Sequence, residues 1–285
     1  MSLRQYARRA LQEDIGSGDM TTDLLIPPDA IATATLVARL DGVVCGLELA
    51  RAVFQELDHR LRIGLLAHDG QQVAAGAALL TVAGPARAIL SGERVALNFV
   101  GRLSGIASLT RSYVDAVEGT EARIVDTRKT TPGLRALEKY AVRCGGGHNH
   151  RFGLSDGFML KDNHRAALGV LGEDLVAAVH EARHRLGHGI AMTIEVDHVE
   201  QVAEALDAGA DAILLDNMTP DQLSLAVEQV AGEALTEASG GITLESVRAT
   251  AESGVDLVSV GALTHSAPAL DVALEVEWQQ MGGTR

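Results

Sequence analysis

Beyond residue 105 the chain alternates between short apolar runs of strand length and stretches of helical period, and this alternation restricts the fold more than any other feature. Candidate strands lie at residues 123–127, 157–161, 191–196, 212–216, 234–238 and 256–260, with helical patterns at 173–186, 199–208, 220–230 and 243–252. Repeated strand–helix units give parallel strands covered on both faces, so the choice is between a doubly wound sheet and a barrel. The strand ends decide it. They carry Asp126-Thr127-Arg128-Lys129, Lys161-Asp162-Asn163-His164, Glu195-Val196-Asp197, Asp216-Asn217, Ser239-Gly240-Gly241 and Gly261-Ala262. Polar groups converging from many strand ends mark the carboxyl face of a barrel. A doubly wound sheet would use mainly its switch point, and the Gly-x-Gly-x-x-Gly fingerprint is absent. Six strands rather than eight predict an open, incomplete α/β barrel.

The first hundred residues have a different texture. Residues 1–15 form an amphipathic helical pattern, residues 31–82 read as short strands and turns around a helix at 47–57, and 91–104 reads as a buried helix. The piece from Asp69 to Gly76 is punctuated like a biotinyl or lipoyl carrier hairpin, but no lysine occurs before Lys129, so no cofactor attachment point exists there. The uncharged stretch 73–86 is broken by Gly76, Gly84 and Pro85, and no run reaches the ~18 apolar residues of a membrane span. Cys45 and Cys144 match no zinc or redox spacing and read as buried or incidental thiols of a cytoplasmic protein.

Charge narrows the function. With 38 acidic against 24 basic residues the chain carries −14, which argues against nucleic acid or an anionic membrane surface as partner. Aromatics at 3% leave too few rings for a base-stacking platform. Yet residues 128–165 hold eight basic and three acidic side chains, a local balance of +5 that implies an anion site. Only three lysines accompany 21 arginines. Two of them, Lys129 and Lys161, stand at strand ends, where a compact ammonium differs chemically from a planar fork. Lys139 reads as a surface or ion-pairing residue of a helix, and Arg135, Arg143 and Arg165 as solvated helix faces. Arg128, Lys129 and Arg151 are the better anion ligands.

Glu195 and Asp216 end successive strands and face one another across the expected mouth. Carboxylates beside an anion site hold a metal such as magnesium or sugar hydroxyls; the alternative is ordinary capping of the following helices. Ser239-Gly240-Gly241, with Gly261 after the next strand, fits a phosphate cradle at helix starts. His148-x-His150 has the form of a metal pair in hydrolase barrels, though glycines rather than a strand precede it. His180, His184 and His188 read as a solvated helix face.

Taken in order, these segments form a pattern: Glu93-Arg94-Val95-Ala96-Leu97-Asn98, Asp126 to Arg135, Lys139 to Arg151, Lys161 to His164, Glu195-Val196-Asp197, Leu215-Asp216-Asn217, Ser239-Gly240-Gly241 and Val260 to His265. The pattern spans nearly the whole chain and strongly resembles the quinolinate phosphoribosyltransferase family. The resemblance implies an N-terminal α/β sandwich domain of residues 1–104, completed by the C-terminal tail 266–285, and an open α/β barrel of residues 105–265. It implies a homodimer or dimer-based oligomer with shared active sites, each mouth covered by the partner's N-terminal domain. The implied reaction joins quinolinate to phosphoribosyl pyrophosphate with magnesium, giving nicotinate mononucleotide, pyrophosphate and carbon dioxide. Arg128, His150, Arg151 and Lys161 would grip the quinolinate carboxylates, with Arg94 supplied by the neighbouring subunit. Lys129, Glu195 and Asp216 would serve pyrophosphate, magnesium and ribose, the metal being held directly or through substrate. Ser239, Gly240, Gly241, Gly261 and His265 would line the phosphate end. A related family associated with molybdenum transport lacks the Lys161-Asp162-Asn163-His164 block present here, and Met159, where an aliphatic residue is commoner, is expected to be neutral. A metal-dependent hydrolase using His148 and His150, or a phosphosugar-binding module without catalysis, are the competing classes.

Overall fold

The computed structural model describes residues 1–278. In chain order the elements are α1 (Leu3–Ile15), α2 (Met20–Leu25), β1 (Ile31–Ala38), β2 (Gly42–Val43), α3 (Leu47–Leu57), β3 (Arg62–Leu65), β4 (Gln72–Val73), β5 (Ala78–Pro85) and α4 (Ala86–Ala116). They continue as β6 (Arg123–Val125), α5 (Arg135–Cys144), β7 (Phe158–Leu160), α6 (Asp162–Leu171), α7 (Leu175–Arg185), β8 (Met192–Val196) and α8 (Val202–Asp207). The last are β9 (Ala212–Asp216), α9 (Pro220–Val230), β10 (Leu235–Ser239), α10 (Val247–Glu252), β11 (Leu257–Ser259), α11 (Ala262–His265) and β12 (Val272–Trp278). They form two units. One comprises Met1–Leu109, Arg143–Gly146 and the described residues from Ala267 onward; the other comprises Thr110–Val142 and Gly147–Ser266.

The first unit is an antiparallel sheet, ordered β12-β1-β5-β3, with helices packed on it. Its central strand sets Leu36 opposite both Leu80 and Leu274. Leu36, Leu79, Leu80 and Val82 from the sheet and Leu47, Leu49, Val53 and Phe54 from α3 are buried. Burying each such side chain contributes roughly 1.5–3 kcal/mol, and the first amides of α3, which starts after Gly46, are capped from outside the helix by the Asp69 side chain. The tail joins this sheet through β12; residues 279–285 of the expected tail lie outside the described residues. α4 runs far beyond the expected helix at 91–104, passing through Gly105. That glycine is there for contact rather than as a helix stop: a Cβ on it would lie 1.9 Å from the Pro268 carbonyl oxygen.

The second unit is a parallel six-stranded sheet, β6-β11-β10-β9-β8-β7, whose strands alternate with helices as the sequence requires. Beyond β6, His148 forms a single parallel bridge with Val125, so the chain after the three glycines supplies one further rung. Among the described residues nothing pairs this rung with β7, and the barrel is open there. The helix expected at 243–252 begins only at Val247, because Thr243–Ser246 close a turn first through the Ser246 and Val247 amides bonding to the Thr243 carbonyl. Among the described residues no helix is long and apolar enough to cross a membrane.

Candidate active site

Strand periodicity places the site. Side chains two residues apart share a face, and Met159 and Lys161, Leu214 and Asp216, and Glu237 and Ser239 line one cavity at the carboxyl end of the sheet. Its volume is about 400 Å³, and Thr127, Arg128, Lys129, His150, Arg151, Glu195 and Ser259 complete its walls. The register aligns Glu195 and Glu237 on either side of Leu214, and Ser239 beside Asp216.

The cationic wall rests on a buried ion pair. Asp126, fully buried at the end of β6, receives Lys139 Nζ. It also accepts from the His150 amide at 2.9 Å and from Asn149 Nδ2 at 2.6 Å. Lys139 in turn donates to the His150 carbonyl at 3.0 Å. Burial pushes the Asp126 carboxyl above its ordinary range, opposed by Lys139 and by these hydrogen bonds. Lys139, expected as a surface or ion-pairing residue, is the ion-pairing kind and is buried. Glu138, also buried, accepts from the Thr131 amide and hydroxyl at 3.0 and 2.8 Å and ties down the loop after Lys129. Arg135, read as a solvated cation, donates to Thr130 Oγ1 at 3.0 Å and to the Phe152 carbonyl at 3.0 Å.

On this frame Arg151 donates to the Gly157 carbonyl at 2.9 Å, and burial, then the neighbouring Arg128, hold its guanidinium below its usual value. Arg128 lines the cavity, and among the described residues its buried Nε has no hydrogen-bond partner. Lys161 Nζ lies 2.6 Å from Glu195 Oε2. His150 accepts from the Arg151 amide through Nδ1 at 2.7 Å, and its Nε2 lies 3.2 Å from Glu237 Oε2. Both ring nitrogens are therefore engaged.

At the far rim, Asp216 accepts from Asn217 Nδ2 at 2.6 Å. Gly240 and Gly241 have φ of +97° and +59°, and a Cβ on Gly240 would lie 2.2 Å from Asn217 Oδ1. The glycine pair is thus a left-handed turn packed on Asn217, separated from α10 by a further turn. A Cβ on Gly261 would lie 3.1 Å from both Lys129 Cδ and His265 Nε2, which brings these three together. Arg94 belongs to the first unit, is exposed, and is not among the residues of this cavity.

His148 is exposed. Among the described residues neither it nor His150 gathers with two further histidine, cysteine or carboxylate ligands within 4.8 Å. Of the row His180, His184 and His188, the last lies beyond α7, and His180 Nε2 contacts the Asp207 carbonyl at 3.1 Å. Sequence reasoning missed Glu237. The signal was its place two residues before Ser239 on the same strand face.

Fold and site together define an α/β-barrel enzyme for small, multiply charged anions. Residues 106–275 match the C-terminal domain of quinolinate phosphoribosyl transferase, and residues 19–104 match its N-terminal domain. The chain belongs to the quinolinate phosphoribosyl transferase family. It is 44% identical over 279 residues to the nicotinate-nucleotide pyrophosphorylase [carboxylating] of Mycobacterium leprae, covering 96% of each chain. The structure of NadC from Streptococcus pyogenes superposes with a TM-score of 0.91 at 38% identity, covering 97% of each chain. That of the nicotinate-nucleotide pyrophosphorylase from Francisella tularensis gives 0.90 at 37%, covering 96% of each.

Proposed function

We propose that this chain transfers phosphoribose from phosphoribosyl pyrophosphate to the ring nitrogen of quinolinate, with loss of pyrophosphate and carbon dioxide, yielding nicotinate mononucleotide. The observation that carries the reading is the gathering of Arg128, Lys129, Arg151 and Lys161 with Glu195 and Asp216 around one cavity at the strand ends. The cations suit a dicarboxylate, and the carboxylates suit a sugar whose ring becomes positively charged.

Arg128, Arg151 and Lys161 bind and orient the quinolinate carboxylates, and Lys161 exchanges Glu195 for substrate as it does so. As pyrophosphate leaves, positive charge develops on the ribose and is stabilised by Glu195 and Asp216, while Lys129 neutralises the departing group. The pyridine nitrogen attacks the anomeric carbon and becomes cationic. The carbon–carbon bond to the adjacent carboxylate then breaks, its electron pair enters the ring, and a proton replaces carbon dioxide. Holding both partners in line supplies much of the rate. Glu195 and Asp216 are hard oxygen donors suited to magnesium, which would supply charge neutralisation of the pyrophosphate oxygens. Ser239, Gly240, Gly241, Gly261 and His265 serve the phosphate end. The same reading takes the enzyme as cytoplasmic and as a homodimer or assembly of dimers in which Arg94 of one subunit serves the mouth of its partner.

Incubation with quinolinate, phosphoribosyl pyrophosphate and magnesium tests this directly. Nicotinate mononucleotide and pyrophosphate should appear in equal amounts. A properly folded chain giving no pyridine nucleotide overturns the assignment.

A further inference from the structure

Two cysteines that the sequence holds far apart meet in the first unit. Cys45 lies in the buried turn before α3, where its amide donates to Ser104 Oγ at 2.8 Å and its carbonyl accepts from that hydroxyl at 3.1 Å. Asp69 caps the same helix, accepting from the Gly46 and Leu47 amides at 3.0 and 3.1 Å. Gly70, at φ +89°, turns the chain flat against the last residue of α5: a Cβ there would lie 3.4 Å from the Cys144 carbonyl oxygen. The result is that the sulfurs of Cys45 and Cys144 and an oxygen of Asp69 lie within 4.8 Å of one another.

We propose that Cys45 and Cys144 are an oxidisable pair that closes to an intramolecular disulfide, a modification site separate from the barrel cavity and independent of the reaction assigned to it. The two thiols have different parts. Cys144 is half-buried, whereas Cys45 is buried, so Cys144 is the sulfur a solution reagent meets. Hydrogen bonding to Cys144, burial, and the charge of Asp69 push the Cys45 thiol far above its ordinary range, which keeps it inert toward solution reagents.

The oxidant is a low-molecular-weight disulfide such as oxidised glutathione. Cys144 thiolate attacks one glutathione sulfur and expels the other as a thiolate. In the mixed disulfide the hydrogen bond and charge of the Cys144 thiol no longer hold the Cys45 proton, and Cys45, losing that proton as it attacks the Cys144 sulfur, expels the second glutathione. Two electrons pass to glutathione disulfide, and the two protein thiol protons end on two glutathione thiols. Closure brings the sulfurs to about 2.05 Å.

Equilibration of the whole chain in glutathione buffers of increasing oxidation, followed by acid quench, mass measurement and peptide mapping, tests the pair. The wild type should lose about 2 Da, the two thiol hydrogens, and give a Cys45–Cys144 linked peptide. Cys45→Ser should stop at a single glutathione adduct on Cys144, a gain of about 305 Da. Cys144→Ser should take up none while folded. Because the bond encloses about 100 residues, the oxidised wild type should melt higher, by on the order of 5 °C, and lose the gain with dithiothreitol. Glutathione adducts on the wild type without a cross-link overturn the proposal. So does a folded chain that stays unchanged in buffers that oxidise it in urea, or a stoichiometric zinc ion released when the thiols are alkylated.

Discussion

Nε2 of His150 lies 3.2 Å from the Glu237 carboxylate while Nδ1 faces the Arg151 amide at 2.7 Å. Since the Arg151 amide donates to Nδ1, that nitrogen is an acceptor, and the hydrogen belongs on Nε2, directed at Glu237. His150 thus positions the backbone of Arg151 and presents no spare proton to the cavity in this arrangement. Removing the acceptor in Glu237→Ala leaves a shielded donor unsatisfied, at a cost of about 1–3 kcal/mol, or roughly 5- to 150-fold. The loss should appear mainly as a higher KM for quinolinate. Glu237→Gln, which keeps an acceptor oxygen, should recover most of it; steady-state kinetics on the two variants distinguish positioning from general disruption.

Asp126→Asn should be costly for stability. The side chains of Lys139 and Asp126 are 4% and 0% exposed, so the substitution leaves a buried ammonium without its counter-charge. Breaking such a pair from one side costs about 3–5 kcal/mol. Urea unfolding should show this as a lower midpoint with an unchanged slope, and Lys139→Met with Asp126→Leu should recover part of the loss.

These two pairs also mark where the sequence stopped being informative. Strand–helix alternation and the polar strand ends were legible because both follow from local period, and six parallel strands formed as expected. Lys139 was harder to place, since a lysine on an amphipathic helix looks alike whether it meets water or a carboxylate 13 positions away. Glu237 was missed because it lies inside an apolar run rather than at its end. α4 extends at both ends beyond the expected 91–104 and runs through Gly105, whose small size answers to the close approach of Pro268. The cysteine pair had no spacing signature, since Cys45 and Cys144 meet only through tertiary folding.

Gly240→Ala should damage the phosphate rim. The residue sits at φ +97°, and its Cβ would fall 2.2 Å from Asn217 Oδ1 and 2.8 Å from Asn217 N, the latter being backbone that cannot rotate away. The strain is on the order of 1–3 kcal/mol. Because Asn217 Nδ2 holds Asp216, kcat with phosphoribosyl pyrophosphate should fall more than quinolinate binding weakens. A variant with wild-type kcat and a wild-type melting temperature would contradict this coupling.

Asp58 gives a pH-dependent test remote from the site. Hydrogen bonds from the Arg60 side chain and amide lower its carboxyl to about 2. A depressed folded value stabilises the fold above the unfolded value of about 3.9, and the gain disappears as pH falls toward 2. The effect is small because Arg60 is exposed to solvent. The difference in urea midpoint between wild type and Asp58→Asn should therefore be modest and constant above pH 5, and about half as large at pH 3. A difference that grew on acidification would have the wrong sign.

The shared-site arrangement can be tested with two inactive variants. If Arg94 acts only on the partner's mouth while Lys161 acts on its own, Arg94→Ala and Lys161→Ala each spoil every site of their homodimers. In a mixed dimer both defects fall on one site, and the other receives an intact Arg94 and an intact Lys161. Random exchange of equal amounts makes about half the dimers mixed, each with one good site of two, so about a quarter of wild-type activity should return. Exchange must be confirmed independently, for example by mass difference between tagged subunits. Recovery near a quarter supports a dimer with Arg94 in trans. Complete exchange with no recovery would place Arg94 in its own subunit's site or outside the site altogether.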